Sequence, residues 1–205
     1  MALAPADSEL VTAAGSLALA RGDTTRAIEL YRQAVALDPV NPAARGWLAF
    51  NLAVTGRFDE ARAEYPRVVE LNPAAPWSHA GLGFAFLVKG KFEEAAVATQ
   101  DDAAEFARLL VVAMARWGQK RIPEADAALT RLTDGFADTA AYQIAEVYAY
   151  RGDKDRAFEW LERARRQRDG GLGFMRCDPS LANLRADSRW DLFLRKMGLA
   201  DDQLK

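Results

Sequence analysis

The sequence has very little cysteine and histidine: Cys177 and His79 are the single residues of their types among 205. A disulfide within the chain needs two cysteines, and a structural zinc site needs about four cysteine or histidine ligands. We therefore expect no disulfide and no such metal site. The glycine-rich stretches 81–83 and 170–173 do not open a helix after a strand, as a phosphate-binding loop must. We expect no cofactor.

An excess of charge and long apolar runs are also missing. Lys and Arg number 27 against 29 Asp and Glu, which leaves a formal charge of −2 and no basic field for nucleic acid or an anionic membrane. No apolar stretch approaches the ~18 residues of a membrane-spanning helix, and no secretory signal stands at the start. We expect a cytoplasmic protein that binds neither nucleic acids nor membranes.

Residues that favour strands are scarce. The chain has 3 Ile, 11 Val and 8 Thr against 41 Ala. Alanine is the strongest helix former, whereas branching at Cβ favours strands. This composition predicts an all-α fold.

What the sequence does contain is a repeat of about 34 residues. A glycine can end a helix in the left-handed conformation, and the prolines Pro39 and Pro73 stop a second helix at the preceding residue. The predicted unit is therefore a helix, a glycine turn, a second helix and a stop. The glycines, spaced 34, 34, 28 and 34 residues apart, are Gly22, Gly56, Gly90, Gly118 and Gly152. Alanines that let the paired helices approach closely follow at spacings of 34, 34, 30 and 32: Ala27, Ala61, Ala95, Ala125 and Ala157.

This pattern resembles the tetratricopeptide repeat (TPR) family, whose units are helical hairpins stacked into a right-handed superhelix. Gly15 and Gly83 match the family's small residue in the first helix, and Tyr31 and Tyr65 match its aromatic residue in the second. The resemblance implies an all-α solenoid of about five hairpins with a C-terminal capping helix. The expected divisions are a flexible tail over 1–7, repeats over about 8–41, 42–75, 76–103, 104–137 and 138–168, and a C-terminal loop and capping helix over 169–205.

Three places depart from the family pattern. The third repeat has about 28 residues and no terminal proline, which predicts a solvated turn at Asp101 and Asp102. The fourth has two extra residues between Lys120 and Pro123, so its register is open by two. Pro66 lies inside a predicted helix, where proline removes a backbone hydrogen bond, so we expect a kink between Arg62 and Pro66.

The end of the chain resembles the ends of TPR arrays in bacterial multidomain regulators. The similarity runs from Arg168 through Asp178 to Lys196. It implies that the chain is a segment, or a stand-alone relative, of such a regulatory protein.

The TPR resemblance also implies a concave groove lined by the first helix of each repeat. In this sequence the matching positions are mainly aromatic and apolar, which predicts a surface for a helix or extended peptide of a protein partner. Met114 and Trp117 both belong to the set because the register of the fourth repeat is open. The candidate groove residues are Trp47, Phe50, Val54, Trp77, Phe84, Leu87, Val88, Met114, Trp117, Tyr142, Glu146 and Tyr150.

The function expected from these features is non-catalytic binding of a protein partner. Cys177 and His79 stand about three repeats apart, so a solenoid would keep this nucleophile and base from meeting, which disfavours an enzyme. Two other roles stay open. One is a homo-oligomer in which the groove binds a neighbouring subunit, and the other is a regulatory module of a larger signalling or transcription protein.

Overall fold

A computed structural model describes residues 7–204, and every regular element in that range is helical. Residues 1–6 of the expected tail and Lys205 lie outside the described residues. Two short 3₁₀ helices, Gly170–Phe174 and Pro179–Leu184, precede the last α-helix. The α-helices are α1 (Ser8–Ala20), α2 (Thr24–Leu37), α3 (Pro42–Val54), α4 (Phe58–Leu71), α5 (Ala80–Val88), α6 (Phe92–Ala98), α7 (Glu105–Gly118), α8 (Ile122–Phe136), α9 (Ala141–Arg151), α10 (Lys154–Gln167) and α11 (Ser188–Met197).

The first ten helices pair into five antiparallel hairpins, and each hairpin packs on the next. The sequence marks many of the helix starts. Asp23, Asn41 and Asp153 each accept a hydrogen bond from a backbone N–H in the first turn of the helix that follows, which satisfies one of its free donors. The predicted all-α solenoid of about five hairpins is confirmed.

The turn inside each hairpin depends on one residue in the left-handed conformation. Gly22, Gly56, Gly90 and Gly152 take φ angles of 71 to 86°, as glycine allows at low cost. In the fourth hairpin the prediction of Gly118 was wrong: Gly118 ends α7, and Lys120 takes the turn with φ of 63°. The spacings from turn to turn are then 34, 34, 30 and 32, equal to the alanine spacings.

The repeated small residues allow close contact between helices. All five repeated alanines are completely buried. A Cβ added to Gly15 would lie 2.8 Å from the Tyr31 ring, and one added to Gly81 would lie 2.4 Å from the Tyr65 ring. The tyrosine rings therefore fill the space that a side chain on α1 or α5 would need.

The third hairpin differs most from the pattern. The repeat expected from residue 76 has its first helix, α5, only from Ala80, and Trp77 has a left-handed φ of 69°. The expectation of a solvated acid at Asp102 was also wrong, because this side chain is 1% exposed. Its carboxylate accepts hydrogen bonds from the backbone N–H groups of Trp77, His79, Ala80 and Ala104 at 2.8–3.3 Å, so it supplies the polar partners at the start of α5.

Pro66 does not end its helix, since α4 continues to Leu71. The proline ring is exposed on the outer surface. None of the helices within residues 7–204 is long and apolar enough to cross a membrane.

The C-terminal segment returns to the first hairpin. The Cys177 Sγ lies 3.4 Å from the Leu19 carbonyl oxygen, and the Arg21 guanidinium donates to the Leu204 carbonyl at 2.6 Å. The accessible surface is 10116 Å², only slightly above the roughly 9,500 Å² of a compact protein of this mass. The array therefore curls, and its C-terminal segment bridges the first and last hairpins.

Candidate functional site: the aromatic inner surface

The turn residues fix which side chains share the inner row. Six positions before the turn residue, the second to fifth hairpins carry Phe50, Phe84, Met114 and Glu146. The register that was open in the fourth repeat therefore places Met114 in this row. Trp117 instead aligns with Leu87 of the third hairpin.

An aromatic box occupies the centre of this surface, and its occupant comes from the chain itself. The Phe174 ring centroid lies 5.9 Å from that of Trp47, 5.4 Å from Phe50 and 5.1 Å from Tyr142. All three pairs meet edge to face, the arrangement that aromatic quadrupoles favour. Trp47 and Phe50 are on α3 and Tyr142 is on α9, so Phe174 bridges hairpins two and five. We call Trp47, Phe50 and Tyr142 the aromatic box.

The segment around Phe174 is tied to α9. The Asp169 carboxylate accepts from the backbone N–H of Tyr142 at 3.0 Å and from that of Gly171 at 2.9 Å. Gly171 has no room for a side chain, because a Cβ there would lie 2.5 Å from the Tyr142 ring. After Phe174 the chain enters the core, where Met175 is completely buried.

Two buried carboxyl groups lie behind the box. The Tyr142 hydroxyl donates to the Asp178 carboxylate at 2.7 Å, and the Ser180 backbone N–H donates to the same carboxylate at 2.7 Å. Glu146 is 2% exposed, and its Oε2 has no hydrogen-bond partner. Burial, followed by the neighbouring Asp178, raises the pKa of Glu146 well above its ordinary value, so Glu146 keeps its proton where a free glutamate has lost it. Burial likewise raises the pKa of Tyr142.

The structure places the candidate groove residues in two groups. Five are buried, namely Phe84, Leu87, Met114, Tyr142 and Glu146. Seven are partly exposed, namely Trp47, Phe50, Val54, Trp77, Val88, Trp117 and Tyr150. The surface is aromatic and apolar, but it is filled by Phe174 and not open. Phe174 is not among the groove residues predicted from the sequence, although Leu172, Phe174 and Met175 form an apolar cluster outside any helical period, which indicates burial of a loop.

Trp77 and Trp117 lie away from the aromatic box. Trp77 packs against Phe106, at 5.9 Å between ring centroids. Trp117 stacks under the Arg151 guanidinium at 4.8 Å, and both line a cavity of about 460 Å³ between α8 and α9. Arg151 pairs there with Asp126 at 2.6 Å.

Cys177 and His79, the two residues considered as a nucleophile and a base, each have other contacts. Cys177 touches the Leu19 carbonyl, and burial raises the pKa of its thiol, which opposes the thiolate form that a nucleophile needs. His79 contacts the adjacent Ser78 hydroxyl at 3.3 Å. Within residues 7–204 no group of three His, Cys, Asp or Glu side chains is arranged to hold a metal ion.

These features define a helical-repeat protein with an aromatic inner surface. Two sequence models described as tetratricopeptide repeat match the chain, one over residues 18–69 and the other over 51–108 and 112–171. The second alone covers more than half of the chain. The chain belongs to the tetratricopeptide repeat family.

Individual relatives share parts of this architecture. The TPR repeat-containing thioredoxin TTL4 of Arabidopsis thaliana is 43% identical over 58 residues, which are 28% of this chain and 8% of that protein. The chain thus spans less than a tenth of the length of that curated relative. Among solved structures, the TPR protein TTC0263 of Thermus thermophilus aligns with a TM-score of 0.63 and 21% identity, covering 85% of this chain and 99% of that one. Pseudomonas aeruginosa pilF aligns with a TM-score of 0.55 and 16% identity, and the alignment covers 96% of this chain and 94% of that one. At these identities the similarity shows the fold alone.

Proposed function

We propose that this protein is a non-catalytic, cytoplasmic scaffold whose aromatic box binds an aromatic side chain on an extended or helical segment of a partner protein. The observation that carries this proposal is the seating of Phe174. A short piece of polypeptide lies across the inner surface and inserts one ring among Trp47, Phe50 and Tyr142. Aromatic anchors of this kind dominate the binding energy of many interfaces.

The turn Gly170–Phe174 is the part of the internal occupant that a partner would replace. Gly170 and Gly173 are exposed and Phe174 is partly exposed, whereas Leu172 and Met175 are buried. Displacement of the Phe174 ring alone therefore leaves the core of the capping segment in place. An aromatic side chain of the partner would replace the Phe174 ring and make the same contacts with the aromatic box.

The surroundings of the box favour a neutral or basic partner segment over an acidic one. Asp169 and Asp178 lie on the capping segment beside Tyr142. No Lys or Arg belongs to the box, so it lacks the cations that would hold a terminal carboxylate. Recognition therefore rests on shape and apolar contact.

The proposal can be tested by supplying the occupant as a separate peptide. The probe is a fluorescent peptide with the sequence of residues 169–177, with serine in place of Cys177. It should bind the Phe174→Ala protein at least tenfold more tightly than the wild-type protein, whose own turn competes. Fluorescence anisotropy measures both affinities.

Two controls complete this test. A peptide with alanine at the Phe174 position should lose at least tenfold in affinity, and Trp47→Ala in the Phe174→Ala background should weaken binding of the original peptide similarly. Equal binding of the peptide to wild type and Phe174→Ala, or no binding to either, would contradict the groove as a peptide site.

A further inference from the structure

One face of α1 carries large apolar side chains that nothing within residues 7–204 covers. Leu10 and Leu17 are 57% and 61% exposed. They stand seven residues apart, which places them within about 20° of each other around the helix. Ala13 and Ala14, both exposed, lie between them. We call these four residues the α1 stripe.

The same helical position is covered in every later hairpin. Aligned on the turn residues, Leu17 corresponds to Asn51, Ala85, Ala115 and Val147, and all four are completely buried. The helices that carry them, α3, α5, α7 and α9, each pack against the second helix of the preceding hairpin. In the internal repeats this position is therefore always covered by a helix.

The C-terminal end of a second copy suits the α1 stripe less well. There α11 lies beside α10, with Phe158 and Phe193 buried, and Arg189 of α11 pairs with Asp155 of α10 at 2.7 Å on the surface. A groove of about 880 Å³ stays open between these two helices, but six of its nine lining residues are charged, which does not match an apolar stripe. The α1 helix of a second copy carries an apolar face of the same kind.

The α1 stripe is complementary to itself. A twofold axis across the helix between Ala13 and Ala14 would place Leu10 of one copy against Leu17 of the other, since each leucine stands 3.5 residues from that point. The alanines would meet at the axis, where their small side chains allow the helices to approach closely. Antiparallel α1 helices would therefore bury the four stripe residues of each copy in one isologous contact.

The charges at the two ends of α1 favour the same arrangement. Asp7 is exposed before the first turn and Arg21 is exposed after the last. Asp7 accepts from the Glu9 N–H at 2.9 Å and Arg21 donates to the Leu204 carbonyl at 2.6 Å, so each keeps further hydrogen-bonding positions for a partner. An antiparallel pair places Arg21 of one copy within about 2 Å along the axis of Asp7 in the other, at the helical rise of about 1.5 Å per residue. A parallel pair would place like charges together. We propose that this protein forms a twofold homodimer through antiparallel packing of α1 on α1.

Sedimentation velocity from about 1 μM to 1 mM tests this proposal, because a small apolar contact gives an affinity in that range. Wild type should shift from monomer towards dimer as its concentration rises. Leu17→Glu should weaken dimerisation at least tenfold and leave the circular dichroism unchanged, because Leu17 is exposed. The matched control is Leu192→Glu, which alters an equally exposed leucine on α11 and should dimerise as wild type does.

A pair of charge variants tests the complementarity directly. Chains with Leu10→Glu and Leu17→Glu, and chains with Leu10→Lys and Leu17→Lys, should each be monomeric alone. Mixed together they should form a heterodimer, because every contact then joins opposite charges.

Cysteine cross-linking in a Cys177→Ser background reports the direction of the helices. A mixture of Leu10→Cys and Leu17→Cys chains should cross-link between the two variants, and neither variant should cross-link with itself. Three results would overturn the proposal: a wild-type monomer throughout the concentration range, a dimer that Leu17→Glu does not weaken, or cross-links within each cysteine variant.

Discussion

The first two hairpins and the third are stabilised in different ways. In hairpins one and two, close contact depends on residues that recur, such as Ala27 and Ala61 beneath the helix joints and the tyrosines that fill the space beside small residues. In the third hairpin α5 and α6 have only 9 and 7 residues. Its start depends on the buried carboxylate of Asp102, which accepts from three backbone N–H groups there, whereas Asp169 accepts from only one at the start of α9.

This difference shows how a repeat protein accommodates a shortened unit. Hairpins of full length bury enough apolar surface to be stabilised by steric fit spread over many side chains. When residues are lost, the free backbone N–H groups at a helix start need another partner, and one buried carboxylate can accept several of them. In the third hairpin one side chain should therefore contribute far more to the free energy of unfolding than any single residue of the first two hairpins.

Asp102→Ala should give the largest effect. The variant leaves the backbone N–H groups of Trp77, His79, Ala80 and Ala104 without their acceptor, around a side chain that is 1% exposed in the wild-type protein. Charged hydrogen bonds and unsatisfied buried donors each cost about 1 to 3 kcal/mol, so a loss of about 4 kcal/mol in the free energy of unfolding is expected. Urea denaturation measures it.

The control for this prediction is the neighbouring acid. Asp101 is exposed, so Asp101→Ala should change the free energy of unfolding by less than about 0.5 kcal/mol. Comparable losses for both variants would show that Asp102 acts through overall charge and not through its backbone contacts.

Ala61→Leu tests the regular hairpins. Ala61 is completely buried between paired helices, so a larger side chain overpacks the joint and should cost about 1 to 3 kcal/mol of unfolding free energy. Ala63→Leu, on the exposed side of the same helix, should be nearly neutral. A melting temperature for Ala61→Leu equal to that of wild type would mean that steric fit does not hold this hairpin.

Glu146→Gln should change how stability depends on pH. The folded pKa of Glu146 is raised, so the folded state keeps a proton that the unfolded chain releases. The contribution of Glu146 to the free energy of unfolding is fully present below its unfolded pKa of about 4.5. Above that pH it falls by about 1.4 kcal/mol per pH unit until the folded pKa is passed. Glutamine does not titrate, so the free energy of unfolding of the variant should increase relative to that of wild type as the pH rises above about 5.

Denaturation midpoints of both proteins between about pH 5 and 8 provide the measurement. Asp178, Tyr142 and Asp169 are the titratable groups facing Glu146 and are unchanged in the variant. A constant difference between the two proteins over this range would show that Glu146 is ionised in the fold.

The same contrast explains how much the sequence alone could predict. Features that recur, such as the helical hairpins and the glycine turns of four repeats, are predictable because each copy supports the others. Asp102 and Phe174 occur once, and nothing in their local sequence distinguishes a buried cap from a solvated acid, or an inner occupant from a loop. The aromatic character of the inner row follows from its residues, but whether the row is open depends on where the C-terminal segment lies. That depends on contacts between residues more than a hundred positions apart.

The smallest effect concerns the fourth turn. Whether Lys120 or Gly118 is the turn residue decides whether Lys120→Gly raises or lowers the free energy of unfolding. Lys120 has a left-handed φ of 63°, a conformation that costs a residue with a side chain about 1 to 2 kcal/mol. Lys120→Gly removes this strain but gives the unfolded chain more freedom, worth about 0.4 to 1 kcal/mol, so a net gain of about 0.5 kcal/mol in unfolding free energy is expected. The reciprocal control is Gly152→Lys, which places the same side chain in open space at φ of 86° and should cost about 1 to 2 kcal/mol. If Gly118 were the turn residue and Lys120 lay within a helix, Lys120→Gly would instead lose about 1 kcal/mol of helix propensity. Thermal denaturation of Lys120→Gly and Gly152→Lys beside wild type therefore decides the register by the direction of the shift alone.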